Sequence, residues 1–173
     1  MTLKYTIEFL DYWHLSSGLS AGAKLDSLVV KDSDGLPYAS GKTLKGLFHE
    51  MAELLGDAQL IEKCFGLEGV LQGEYYFSNA TLATKEKEEI VTNNLQNHLY
   101  GVIASTAIGK DGIAKDNSLR EIEVVIPLTL HATIENIPQE HGQNMKKATM
   151  MLKRMGLNRN RGLGRCLIVG ELS

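Results

Sequence analysis

Cysteine is scarce in this chain, with two residues in 173. Cys64 and Cys166 show no metal-ligand spacing, and without a secretory leader they are expected to be free, reduced thiols of a cytoplasmic protein. Long apolar runs are missing too. None approaches the roughly 20 residues that span a bilayer, which leaves no place for a membrane helix. The start, MTLKYTIEFLDYW, carries Glu8 and Asp11 inside its apolar pattern and so does not read as a signal peptide. No internal repeat and no linker divides the sequence, so one domain is expected over residues 1–173. With 43% hydrophobic residues, that domain can bury a substantial core.

Net charge is slightly negative, at −3, but it is unevenly spread. Residues 141–165 hold Lys146, Lys147, Lys153, Arg154, Arg159, Arg161 and Arg165 and no acid, a local charge of +7 against −10 for the remainder. A basic patch on an acidic body suits a protein that grips a polyanion on one face. A solvated basic helix gives the same pattern.

Hydrophobic periodicity orders the elements. Residues 3–10 alternate as a strand. Residues 42–55, KTLKGLFHEMAELL, place Leu44, Leu47, Phe48, Met51, Leu54 and Leu55 on one helical face, with Ser40 as N-cap and Gly56 as stop. Residues 74–82 read as a second strand. Residues 120–134 read as one strand, with Pro127 marking an edge or bulge. A basic helix over 141–155, a Gly/Arg loop over 156–165 and a short strand over 166–170 follow. The pattern is β-α-β, an insertion, then β-α-β. It predicts an α+β fold with a ferredoxin-like (RRM-like) βαββαβ core. The polar residues 84–118 form the insertion, a thumb-like or hairpin lobe with one short helix and turn chemistry in GKDGIAKDNS.

Gly41-Lys42-Thr43 ends a stretch, DGLPYASGKTLKG, that invites a P-loop reading. The spacing is wrong. Five residues, not four, separate Gly35 from Gly41, and one of them, Pro37, has no N–H to give a phosphate. What is left is a helix start with two lysines, Lys42 and Lys45. That start serves either as a site for one backbone phosphate or as simple capping.

Four segments together resemble the RAMP superfamily, the repeat-associated proteins of CRISPR systems. GLPYASGKTLKGLFHEMAELL is similar to the family's segment leading into the first helix. GLNRNRGLGRC, residues 156–166, resembles its C-terminal glycine-rich loop. CFG with YYFSNATL, and SLREIEVVIPL, resemble two of its strand motifs. Residues 22–38, GAKLDSLVVKDSDGLPY, resemble a segment of the backbone subunit of type III CRISPR effector complexes. The resemblance implies a subunit holding CRISPR RNA and complementary target RNA, beside other effector subunits and copies of itself along the guide, with no membrane partner.

It further implies that Asp26 is catalytic in cleaving target RNA, with Mg²⁺ or another divalent cation as cofactor if the chain cuts at all. From spacing alone, Asp26 is a loop carboxylate capping a turn, near Lys24 and Lys31. No metal ligand is assigned. The expected RNA contacts are Lys42, Thr43, Lys45, Arg159, Arg161, Gly162, Gly164 and Arg165. Glycine allows close backbone approach and arginine pairs with phosphate, contacts that position RNA without reading its sequence. Two alternatives stand beside this one. The first is a structural subunit that cuts nothing. The second is a metal-independent processing ribonuclease using His14, which reads equally as a polar residue at a strand end. Tyr12 and Trp13 read as core or rim residues, or as base-stacking ones.

Overall fold

A computed structural model describes residues 1–19, 25–67 and 71–173; Lys24 lies outside them. The elements in chain order are β1 (Leu3–Phe9), α1 (Gly41–Leu55), α2 (Ala58–Leu60) running into a π-helical turn (Ile61–Phe65), β2 (Gly66–Leu67), β3 (Leu71–Gln72) and β4 (Tyr76–Phe77). Then come α3 (Thr84–Thr92), a 3₁₀ turn (Gln96–Leu99), β5 (Tyr100–Ser105), β6 (Arg120–Val125), β7 (Thr129–Glu135), a second 3₁₀ turn (Gln139–His141), α4 (Gly142–Met151) and β8 (Cys166–Leu172). The fold mixes helices with antiparallel sheets. The main sheet has the order β4-β7-β1-β8, and two further two-stranded sheets pair β2 with β3 and β5 with β6.

The main sheet is built on alternation. Leu3, Tyr5, Ile7 and Phe9 of β1 face inward beside Leu130, Ala132 and Ile134 of β7 and Cys166 and Ile168 of β8. Lys4, Glu8, His131, Val169 and Glu171 stay exposed on the other face. α1 brings Leu44, Phe48 and Ala52 to the inward face, and α4 brings Met145 and Ala148. Phe9 stacks on the fully buried Trp13 at 4.3 Å between centroids, so Trp13 belongs to the core and is not free to stack on a base. Tyr12 is exposed at the rim.

α1 begins and ends where its caps require. The Ser40 hydroxyl accepts from Thr43 N–H, and Gly56 closes the helix at φ +71°, in the left-handed region that glycine reaches without a Cβ clash.

Three elements differ from the sequence reading. The single strand expected over 120–134 is two strands in different sheets. Pro127 cannot donate to a ladder, and the chain leaves one sheet at Val125 and enters the other at Thr129. The strand expected over 74–82 makes ladder pairs only at Tyr76 and Phe77, followed by single bridges from Ala80 to Ala39 and Thr81 to His131. The basic helix stops at Met151, because Leu152 turns extended and Lys153 C=O accepts from Cys166 N–H. Residues 84–118 comprise α3, the first 3₁₀ turn, β5 and a turn region; the partner strand β6 lies beyond them.

Candidate nucleic-acid interface

The Gly/Arg loop is fastened to the segment that leaves β1. Gly164 N–H donates to Tyr12 C=O at 2.8 Å, and Leu157 N–H to His14 C=O at 2.9 Å. Gly156, Gly162 and Gly164 all have positive φ. A Cβ on Gly164 would lie 1.9 Å from the Met155 carbonyl oxygen, so no other residue fits there without moving backbone. This framework displays Arg159, Arg161 and Arg165 on the surface. Arg165 forks onto Asp11, with Nε 3.0 Å from Oδ2 and Nη2 3.3 Å from Oδ1. Arg159 reaches Glu50 of α1 at 3.8 Å. Arg161 has no acidic partner among the described residues. Asp11, Arg154, Arg159, Gly162, Leu163 and Arg165 enclose a concavity of about 200 Å³.

At the start of α1 the chain supplies its own acceptors. Gly41 N–H donates to Asn79 Oδ1 at 2.8 Å, and Thr43 N–H to Ser40 Oγ at 3.1 Å. Thr43 Oγ1 also bonds Ser40 Oγ. Those groups serve the cap, with Thr43 bonded to Ser40 through both its N–H and its hydroxyl. The amides upstream are engaged as well: Asp34 and Leu36 N–H both donate to Asp32 Oδ1 at 2.9 Å. A phosphate-cradling loop needs those amides free, so the geometry agrees with the spacing in excluding a P-loop. Lys42 and Lys45 line a second concavity, of about 330 Å³, with Gly46, His49, Phe65 and Gly66.

Asp26 sits on the hairpin rather than in an open loop. Its N–H donates to Glu121 C=O, and Glu121 N–H donates back to Asp26 Oδ2, both at 2.8 Å. Oδ1 accepts from Arg120 Nη1 at 3.1 Å. The Glu121 N–H and the Arg120 guanidinium together hold the carboxyl below its ordinary range. No group of three or more metal-ligating side chains gathers among the described residues. Lys31, near Asp26 in sequence, pairs instead with Glu123 at 2.7 Å and lies over the Tyr100 ring.

His14 is fully buried. Nδ1 faces the Glu123 carbonyl and so carries the proton, and Nε2 lies 3.0 Å from Ser27 Oγ. Both ring nitrogens are engaged and neither meets solvent, a geometry that lends no support to His14 as a processing base. It ties the β1 exit to the Asp26 segment. Cys64 and Cys166 are free and buried, and burial pushes the Cys166 thiol up to about 11.

Two contributors were not legible in the sequence. Arg120 lies 94 residues from Asp26, and Asn79 lies 38 from the helix start it caps. Neither has a local signature. The SNA triplet around Asn79 was visible only as part of a strand motif.

The RAMP superfamily model matches residues 6–167. The chain belongs to the RAMP superfamily. Solved structures similar to this RAMP chain include two of Type III-B Cmr-beta. A chain of Type III-B Cmr-beta bound to cognate target RNA superposes with TM-score 0.76 at 11% identity, covering 98% of this chain and 97% of that one. A chain of apo Type III-B Cmr-beta gives 0.73 at 12% identity, with the same coverage. At these identities the likeness is one of fold. No curated protein matches the chain. Among the described residues, no helix of this RAMP protein is long and apolar enough to cross a membrane.

Proposed function

We propose that this RAMP protein is a subunit of a type III CRISPR effector complex that holds guide RNA by its backbone. The observation that carries the reading is the Gly/Arg loop. Three arginines project from one short turn whose glycines and backbone hydrogen bonds fix it against Tyr12–His14. Arginine on a rigid loop grips phosphates without reading bases, which is what a guide holder needs when base pairing supplies specificity. Lys42 and Lys45 extend the basic track along α1, and Gly162 and Gly164 let RNA come close. The family membership and the two Cmr-beta chains support this reading. The order β4-β7-β1-β8, with α1 and α4 on one side, supports a ferredoxin-like βαββαβ core. The β5–β6 hairpin with α3 supports the thumb-like lobe.

Within that reading Asp26 cuts bound target RNA. Magnesium usually binds through one or two carboxylates and substrate phosphates while keeping several waters. Asp26 and an RNA phosphate are therefore the donors available here, and the ion would neutralise charge at the scissile phosphate. Asp26 itself, held by Glu121 N–H, would orient the 2′-hydroxyl, whose proton passes to solvent as its oxygen bonds the adjacent phosphorus; the P–O5′ bond breaks and the 5′-oxygen takes a proton from solvent, leaving a 2′,3′-cyclic phosphate and a 5′-hydroxyl.

The test uses the chain co-expressed with its neighbouring subunits and a CRISPR RNA, with end-labelled complementary RNA and Mg²⁺. A ladder of fragments that disappears in Asp26→Ala, while the guide still co-purifies, supports a repeated cutting subunit. Guide retention with intact target in both proteins leaves a scaffold that cuts nothing. Absence of guide overturns the proposal.

A further inference from the structure

The two oxygens of Asp26 are held by very different groups. Oδ2 accepts from Glu121 N–H at 2.8 Å, and Asp26 N–H returns a bond to Glu121 C=O. The next residue continues the attachment, since Glu123 N–H donates to Ser27 C=O at 3.1 Å and Ser27 bridges Ile122. That half of the carboxylate is set by backbone and does not move unless the strand does. Among the described residues Oδ1 is held by Arg120, through Nη1 at 3.1 Å, and the Arg120 side chain is 68% exposed.

An exposed ion pair of this kind is weakly held and readily exchanged. A guanidinium prefers a phosphate's geometry as much as a carboxylate's and can take it bidentately. We propose that Arg120 is a phosphate-binding residue of the RNA path and that it masks Asp26 until RNA arrives. Bound RNA draws the guanidinium onto a backbone phosphate and leaves Oδ1 free, while Oδ2 stays pinned to Glu121. The Asp26 side chain is 42% exposed even so, and what RNA changes is that Oδ1 loses its cationic partner only where a phosphate is beside it. In the empty protein its carboxylate is neutralised and can neither collect stray cations nor repel the approaching polyanion. This inference rests on the RNA-holding function proposed above.

Binding measurements separate the two ideas. A single-stranded RNA is titrated into the full chain, by fluorescence anisotropy over a salt series. The proteins are wild type, Asp26→Asn, Arg120→Gln and the double variant. Masking predicts that Asp26→Asn tightens binding by roughly two- to fivefold, the release of one exposed ion pair. It predicts no such gain in the Arg120→Gln background, because the beneficiary is missing. Arg120→Gln should also lower the salt slope by about 0.7, the share of one phosphate on a single strand. If Asp26→Asn tightens binding equally in both backgrounds, the effect is general charge and the masking proposal is overturned. An unchanged salt slope in Arg120→Gln also overturns it. If wild type binds no RNA, the RNA-holding function falls first and the mask with it.

Discussion

Gly162 and Gly164 lie two residues apart, at φ +92° and +68°, but alanine should affect them unequally. A Cβ on Gly162 meets open space, so Gly162→Ala should cost about 1 kcal/mol, the ordinary price of left-handed backbone. On Gly164 it would meet the Met155 carbonyl oxygen at 1.9 Å, and a backbone wall cannot rotate aside. Gly164→Ala should cost more than about 3 kcal/mol. Urea unfolding of the two variants checks this; equal midpoints would mean the loop is not held as described. The sequence announced a tight Gly/Arg turn but could not say which glycine faces a wall, because the wall, the Met155 carbonyl, belongs to the non-helical segment after α4. Asp32 supports a prediction about acid. Burial raises its carboxyl, but the Leu36 amide, Lys87 and the Asp34 amide outweigh burial, and the net shift is downward from 3.8. A lowered folded value stabilises above the unfolded one and is lost as pH falls through the folded one. The difference in melting temperature between wild type and Asp32→Asn should therefore be constant near neutrality and shrink below about pH 3.8.

At the scale of elements, α1 was readable because its signals are local. Ser40, the apolar stripe and Gly56 all sit within seventeen residues, and the structure uses each as expected except Leu54 of the stripe, which is 71% exposed. Ser40→Ala should destabilise by about 1 kcal/mol. Asn79→Ala should cost a similar amount by freeing Gly41 N–H, although nothing local to α1 reveals it. Strand β7 was harder. Its apolar alternation continues that of β6 without a phase change, so periodicity alone merges them, and Pro127 reads as an edge or a bulge when it is the point of transfer between sheets. The hairpin that results is clamped at its base by Glu123, which accepts from Val29 N–H at 3.0 Å and from Lys31 Nζ at 2.7 Å. Removing one partner of a fully buried pair costs about 3–5 kcal/mol. The Lys31 side chain stays 34% exposed, so Glu123→Ala should cost nearer about 2 kcal/mol. Amide exchange along β6 should quicken accordingly, and unchanged protection there would argue against the clamp.

At the scale of the whole molecule, charge is the property most visible in the sequence and least tied to the fold. The acid-free window over 141–165 joins α4 to the Gly/Arg loop, and none of its lysines and arginines is buried. Replacing Arg159, Arg161 and Arg165 together by alanine should lower the RNA-binding salt slope by about 2, three phosphates at about 0.7 each. Melting should shift little, since their ion pairs with Glu50 and Asp11 are exposed or half-exposed. The family motifs carried the fold class because glycines, caps and strand ends are written locally. Contacts between distant residues, such as Asp26 with Arg120, are decided by tertiary packing and left no mark. One such long-range arrangement governs how the chain can fold. β1, at the amino end, is an inner strand, and its partners are β7 and the last strand, β8; Thr2 and Ser173 even exchange backbone hydrogen bonds. The loop closed by that pairing runs from residue 10 to residue 165, so the sheet cannot be completed until β8 is made. During synthesis β1 waits with both edges unpaired, a slow, aggregation-exposed interval. Refolding of the full chain should be slow for its size, and a chain ending before Cys166 should leave β1 as an open edge and precipitate.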